Sequence, residues 1–330
     1  MRTWNHLLWP CVASLALVAA GCKGGSGGTD GGVDLVSSPD QTTPRPSGGP
    51  LAFTEITGQS GPVTGVRLIS PVLSFRDAST PNRPSDFSNT NSLGIGCSAD
   101  HFSVAGNDLP APTANAGRVR ITGFQAVTPA GSTTTYNAVD CQLNTTSGSY
   151  DCTYANTAGG TAGPPTSTPL GATDDPIQTG AAITFAGQGG GSFGTFSINS
   201  SAADTVSTAT AATYTANQDT TITVTCPGSG CTGVVAANID LSPANGTATA
   251  GHITCTYLSP SGGTLLIPQA AVNAALGCSS TGTNCDTTLA TARTVIVRFP
   301  FPTGSGQDSS GNQISNVVAG QGVFSVGAIR

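Results

Sequence analysis

The sequence predicts an all-β protein: one or two disulfide-stapled, immunoglobulin-like β-sandwich modules after a disordered tether, with one short helix. Three observations predict it. Segments such as DTTITVTC and GHITCTYL alternate apolar and threonine positions, the period of strands with one buried face. Of 10 cysteines, all but Cys11 and Cys22 lie in the body, an even number that reads as a disulfide framework in an oxidising compartment. Charged residues are only 8% of the chain, against roughly 25% in an average soluble domain, and glycine, threonine, alanine and serine fill the gap.

Residues 1–21 read as a signal peptide. Arg2 precedes an apolar run from Leu7 to Ala20, broken by Pro10 and Ser14. The run is therefore shorter than the ~20 apolar residues of a membrane-spanning helix. Ala19, Ala20 and Gly21 then give a peptidase the narrow side chains it needs before Cys22. Residues 22–50 are mostly Gly, Ser, Thr and Pro, which bury too little surface to offset their ordering entropy. They form a flexible tether with a span on the order of 30 Å. The body divides into a β-rich module at 51–165, a linker at 166–176 and a sandwich module at 177–330.

Within the body, GRVRITGFQAV points Val119 and Ile121 inward, then Phe124 and Ala126, with a β-bulge at Gly123. VDCQLNTTSGSYDCTY forms a hairpin that places Cys141 opposite Cys152. In DTTITVTC, Ile222, Val224 and Cys226 share a face. In GHITCTYL, Ile253, Cys255 and Tyr257 share one face, and His252, Thr254 and Thr256 the other, a solvent face. Cys278 and Cys285 bracket a small polar loop. Cys226 pairs either with Cys255, linking two sheets, or with Cys231 across PGSG; Cys97 is the remaining candidate. IPQAAVNAALG reads as a helix, with Pro268 in its first turn, Gly277 just past its end, and Val272 and Leu276 buried. A CTY triplet followed by GGT recurs from Thr146 to Thr249, an echo the size of one sandwich module.

The run Ala19-Ala20-Gly21-Cys22 resembles the lipobox of bacterial lipoproteins. That resemblance implies cleavage before Cys22, fatty-acyl (palmitate-type) modification of its thiol and new amino group, and a place in the cell envelope. Lys23 after the cysteine implies the outer membrane. The order GCSADHFSV, AGRVRITGF, AGQGGGSFGTFSI, ITCTY and GGTLLIPQAAV resembles surface lipoproteins of myxobacteria over roughly residues 94–300. It implies an all-β surface lipoprotein and assigns no functional residue beyond Cys22.

Net charge is −6 and no basic run exists, so nucleic acid is not an expected partner. Two G-x-G-x-x-G matches, at Gly189–Gly194 and Gly228–Gly233, lead into strand-type sequence rather than the helix a dinucleotide site requires. No cofactor is expected. Ser98, Asp100 and His101 suggest a triad, but neighbours on a strand point to opposite faces. Asp308-Ser309-Ser310-Gly311-Asn312 and Asp174-Asp175 offer oxygen ligands, yet Asx turns explain them without a metal. The resulting expectation is a non-catalytic envelope lipoprotein, a structural or interaction module whose partners are the membrane, through its lipid, and an envelope protein or glycan. The alternative is a secreted-type hydrolase using His101 or His252.

Overall fold

The computed structural model describes residues 47–330, apart from 61–62, 77–84, 92–94, 103–113, 147, 158–161, 172–173, 204–205, 207, 228–229, 245–248, 280 and 301–302. The expected signal peptide, Cys22 and the tether up to residue 46 lie outside the described residues. Among the described residues the protein is mostly β, with 58% of them in strands.

In chain order the first strands are β1 (Ser47–Ser60), β2 (Val63–Arg76), β3 (Phe87–Ser88), β4 (Gly96–His101), β5 (Val119–Val127) and β6 (Tyr136–Asn144). Then come β7 (Ser149–Ala155), β8 (Ala182–Gly187), β9 (Phe196–Ser201), β10 (Thr208–Ala209), β11 (Thr213–Tyr214) and β12 (Thr220–Thr225). The last are β13 (Val234–Pro243), β14 (Gly251–Leu258), β15 (Thr264–Ile267), β16 (Leu289–Phe299), β17 (Gly304–Gln307) and β18 (Gln313–Ile329). Among the described residues one α-helix, α1 (Gln269–Ala275), follows β15.

A ten-stranded sheet runs β2-β1-β18-β16-β13-β14-β4-β3, with β11 and β17 pairing onto β18. A five-stranded sheet runs β7-β6-β5-β8-β9 and a three-stranded one β10-β12-β15. Because β1 pairs in parallel with β18, the first strand of the body is closed against the last. The segments 51–165 and 177–330 thus share one sheet, which β4 also joins through β14. Between them, Leu170 N–H donates to Arg67 O of β2.

Strand alternation decides the layers. On β18, Ala319 packs with the five-stranded sheet, alongside Leu51, Phe53, Ile121 and Phe185. Val323, on the same face, packs with Ile222, Leu265, Val272 and Ile296, the core beneath the three-stranded sheet and α1. Both covers therefore lie on one side of the large sheet, giving a sandwich. Each fully buried Phe or Ile here contributes about 1.5–3 kcal/mol. The opposite face carries a smaller apolar group, including Ile56, Ala236, Val297, Phe299 and Val318.

All eight body cysteines are paired: Cys97–Cys255, Cys141–Cys152, Cys226–Cys231 and Cys278–Cys285. The hairpin bridge Cys141–Cys152 and the loop closure Cys278–Cys285 agree with the sequence. The choice left open for Cys226 falls to Cys231, because Cys255 sits opposite Cys97 across β14 and β4. The two CTY triplets lie in different sheets, and their cysteines bond differently, one within a hairpin and one across 158 residues.

Gly123 has φ +95 and the ladder to β6 shifts after Thr122, so the bulge stands. The face change ends on Val127 rather than Ala126, which is exposed. Pro268 caps α1 from outside instead of occupying its first turn. Gly277 follows the helix at φ +63, where an added Cβ would meet the His101 ring at 2.8 Å.

Candidate functional site

The outward faces of β13 and β14 build the most chemically organised group of side chains. VVAANIDLSP places Asn238, Asp240 and Ser242 on alternate positions of β13, opposite the apolar face of Val235, Ala237, Ile239 and Leu241. GHITCTYL places His252, Thr254 and Thr256 on the same side of β14. Antiparallel register sets Asp240 across from His252 and Asn238 across from Thr254. Arg293 and Asp100 occupy the next positions outward in the Asp240–His252 row.

The contacts form a chain. His252 Nδ1 lies 2.8 Å from Asp240 Oδ1, and His252 Nε2 lies 2.8 Å from Thr254 Oγ1. Thr254 Oγ1 also lies 3.1 Å from Asn238 Oδ1, to which it donates. With that proton on Asn238, His252 donates from both ring nitrogens and is an imidazolium paired with Asp240. With the proton turned toward Nε2, a neutral His252 accepts it, and the order carboxylate–imidazole–hydroxyl is that of an activated nucleophile.

This corrects the sequence reading of the His252 face as solvent. The side chain of His252 is only 12% exposed and that of Asp240 3%. Thr254 and Asn238 are 5% and 3% exposed. Asn238 Nδ2 and Ser242 Oγ are buried and have no hydrogen-bond partner. Three polar residues, Asn238, Asp240 and Ser242, at alternate positions of an otherwise apolar strand were the available signal, and it was missed.

The other histidine serves a different contact. His101 shares a face with Cys97 and Ala99, and its Nε2 lies 3.3 Å from Asp286 Oδ2. Burial pushes the Asp286 carboxyl up, but hydrogen bonds from Thr288 and His101 outweigh it and hold the carboxyl below its ordinary value. Asp100 points to the opposite face, and its Oδ1 accepts from Asp86 N–H. Ser98, Asp100 and His101 therefore do not assemble.

A second polar centre surrounds Glu55, the only glutamate in the chain. It faces the sandwich interior between the two covers and is 3% exposed. Arg67 Nη1 is 3.3 Å from Oε1, while Gln321 Nε2 at 3.1 Å and Ile177 N–H at 3.4 Å donate to Oε2. Burial pushes its carboxyl up to about 7 against the pull of Arg67, with Asp175 adding to the rise. Arg67 and Gln321 also reach Asp175, so this cluster ties the 174–177 segment to the large sheet.

The oxygen-rich loop at Asp308 has its lone pairs engaged. Its carboxylate accepts from the backbone N–H groups of Gly194, Ser310 and Asn312 and from Asn312 Nδ2. Burial raises this carboxyl less than those donors lower it. The Gly189–Gly194 stretch is thereby pinned to the β17–β18 turn rather than opening a helix. Asp174 Oδ2 similarly accepts from Thr128 and Gly171 N–H. Among the described residues, no group of three or more His, Cys, Asp or Glu side chains is arranged to hold a metal ion. Nor, among the described residues, is any helix long and apolar enough to cross a membrane.

Compared with protein-family models, with curated proteins and with solved structures, the chain has no match.

Proposed function

We propose that this chain is a lipid-anchored protein of a bacterial cell envelope, attached through Cys22, whose disulfide-stapled β body acts as a non-catalytic structural or interaction module. The observation that carries this reading is the pairing of all eight body cysteines. Such pairing fits an oxidising compartment, and outside the signal it leaves Cys22 as the one thiol free for acylation. The lipobox-like run before it supports cleavage there, and two or more acyl chains anchor stably where one is marginal. The partner is an envelope protein or glycan that meets the loops or strand edges.

Mass measurement on protein extracted from the membrane fraction tests the anchor: it should show a chain beginning at an acylated Cys22. A soluble, unacylated product would overturn it. The Asp240–His252–Thr254 order favours a second reading, a hydrolase using His252. Its near-complete burial weighs against an external substrate. Turnover of an ester or amide substrate that is lost in His252→Ala but kept in His101→Ala would favour the hydrolase and sink the non-catalytic reading.

A further inference from the structure

The hydroxyl of Thr254 has a base on one side and an acyl group on the other, and both belong to the protein. His252 Nε2 lies 2.8 Å from Oγ1, with Asp240 Oδ1 2.8 Å from the other ring nitrogen. Asn238 Oδ1 lies 3.1 Å from the same hydroxyl. A C=O bond of ~1.2 Å keeps the amide carbon within about 4.3 Å of Oγ1. An external acyl donor would have to enter a site where Thr254 is 5% exposed; the Asn238 amide is already there.

We propose that Thr254 and Asn238 join autocatalytically as a side-chain ester that cross-links β13 to β14. Neutral His252, held in the required tautomer by donating from Nδ1 to Asp240, takes the Thr254 proton on Nε2. The Oγ1–Cγ bond forms, the Cγ–Nδ2 bond breaks, and the proton passes from Nε2 to the departing nitrogen. Hydroxyl plus primary amide become ester plus ammonia, with no change of oxidation state and no co-reactant. His252 is the catalytic residue of this single event and Asp240 its positioning residue.

Three features of the site favour the reaction. The leaving nitrogen, Asn238 Nδ2, is buried and has no hydrogen-bond partner, so its departure removes an unsatisfied donor. The same burial keeps out the water that would hydrolyse the ester. Ammonia is protonated and diluted once it reaches neutral solution, which opposes reversal. Geometry permits the link as well: Asn238 and Thr254 are directly opposite in register. The ester would place the same number of bonds between their Cα atoms as a disulfide does. The adjacent residue, Cys255, already spans to β4 by such a bridge, with Cα atoms 4.0 Å apart.

Intact mass of the folded chain bearing Cys22→Ala, after thiol reduction, tests the proposal. It should fall about 17 Da below the sequence mass, one ammonia lost to covalent self-modification. A digest should contain a linked peptide joining residues 238 and 254 that hydroxylamine cleaves. Thr254→Val and His252→Ala should restore the full mass, while His101→Ala should keep the deficit. Should those variants fail to fold, the wild-type digest decides alone. Two linear peptides with Asn238 intact, or an ammonia deficit mapped elsewhere, would overturn the cross-link.

Discussion

Replacing Glu55 by Gln should remove a pH dependence that burial has built into the sandwich. The carboxyl is 3% exposed and rises from 4.5 to about 7, because burial disfavours its charge more than Arg67 restores it. A raised carboxyl binds its proton more tightly in the folded state. Its stabilising contribution is therefore complete below 4.5 and is lost as pH rises through 7. At 1.36 kcal/mol per unit, the change across that window is about 3 kcal/mol. Gln keeps the shape and carries no charge, so the variant should match the wild type near pH 4.5 and exceed it by up to about 3 kcal/mol at pH 8. Urea unfolding with disulfides intact, repeated across this range, reads the difference directly. Parallel pH profiles would refute the reasoning. So would a variant less stable than the wild type at pH 8, since the Glu55–Arg67 ion pair would then be a net gain.

Removing Cys97–Cys255 by paired serine substitutions should cost more than removing Cys226–Cys231. The bridges close 158 and 5 residues, and chain entropy gives about 5 and about 2 kcal/mol respectively; equal losses of unfolding free energy would contradict this. Asp308→Ala should cost about 2 kcal/mol at neutral pH by stranding its N–H donors. Because that carboxyl is held below 3.8, the gap should close as pH falls beneath that value, and added calcium should leave the wild-type midpoint unmoved. Gly123→Ala should cost at least ~2 kcal/mol, since φ is +95 and the new Cβ would sit 2.0 Å from Ala182 O. A variant with an unchanged midpoint would show that the bulge relaxes freely.

The strand class, the Cys141–Cys152 hairpin, the Gly123 bulge and the helix before Gly277 were legible because each rests on local rules. These are period-two alternation, turn chemistry and the conformational freedom of glycine. The Asp240–His252–Thr254–Asn238 chain was only half legible. Alternation put His252 and Thr254 on one face of their strand, but nothing local says which strand lies beside them or whether that face is covered. Register between β13 and β14 decided both the partners and the proton path. Glu55 escaped notice for the same reason, as Arg67 and Gln321 reach it only once β1 lies between β2 and β18.

By itself the sequence determined a β-rich chain whose body cysteines are even in number, since composition and short-range pattern depend on no distant contact. Only the tertiary structure decided that β1 closes against β18, that Cys255 bonds Cys97, and that a histidine read as solvent-facing is shielded beside a threonine and an aspartate. Those outcomes are set by long-range strand order and register, and shifting a strand by one residue exchanges which side chains meet.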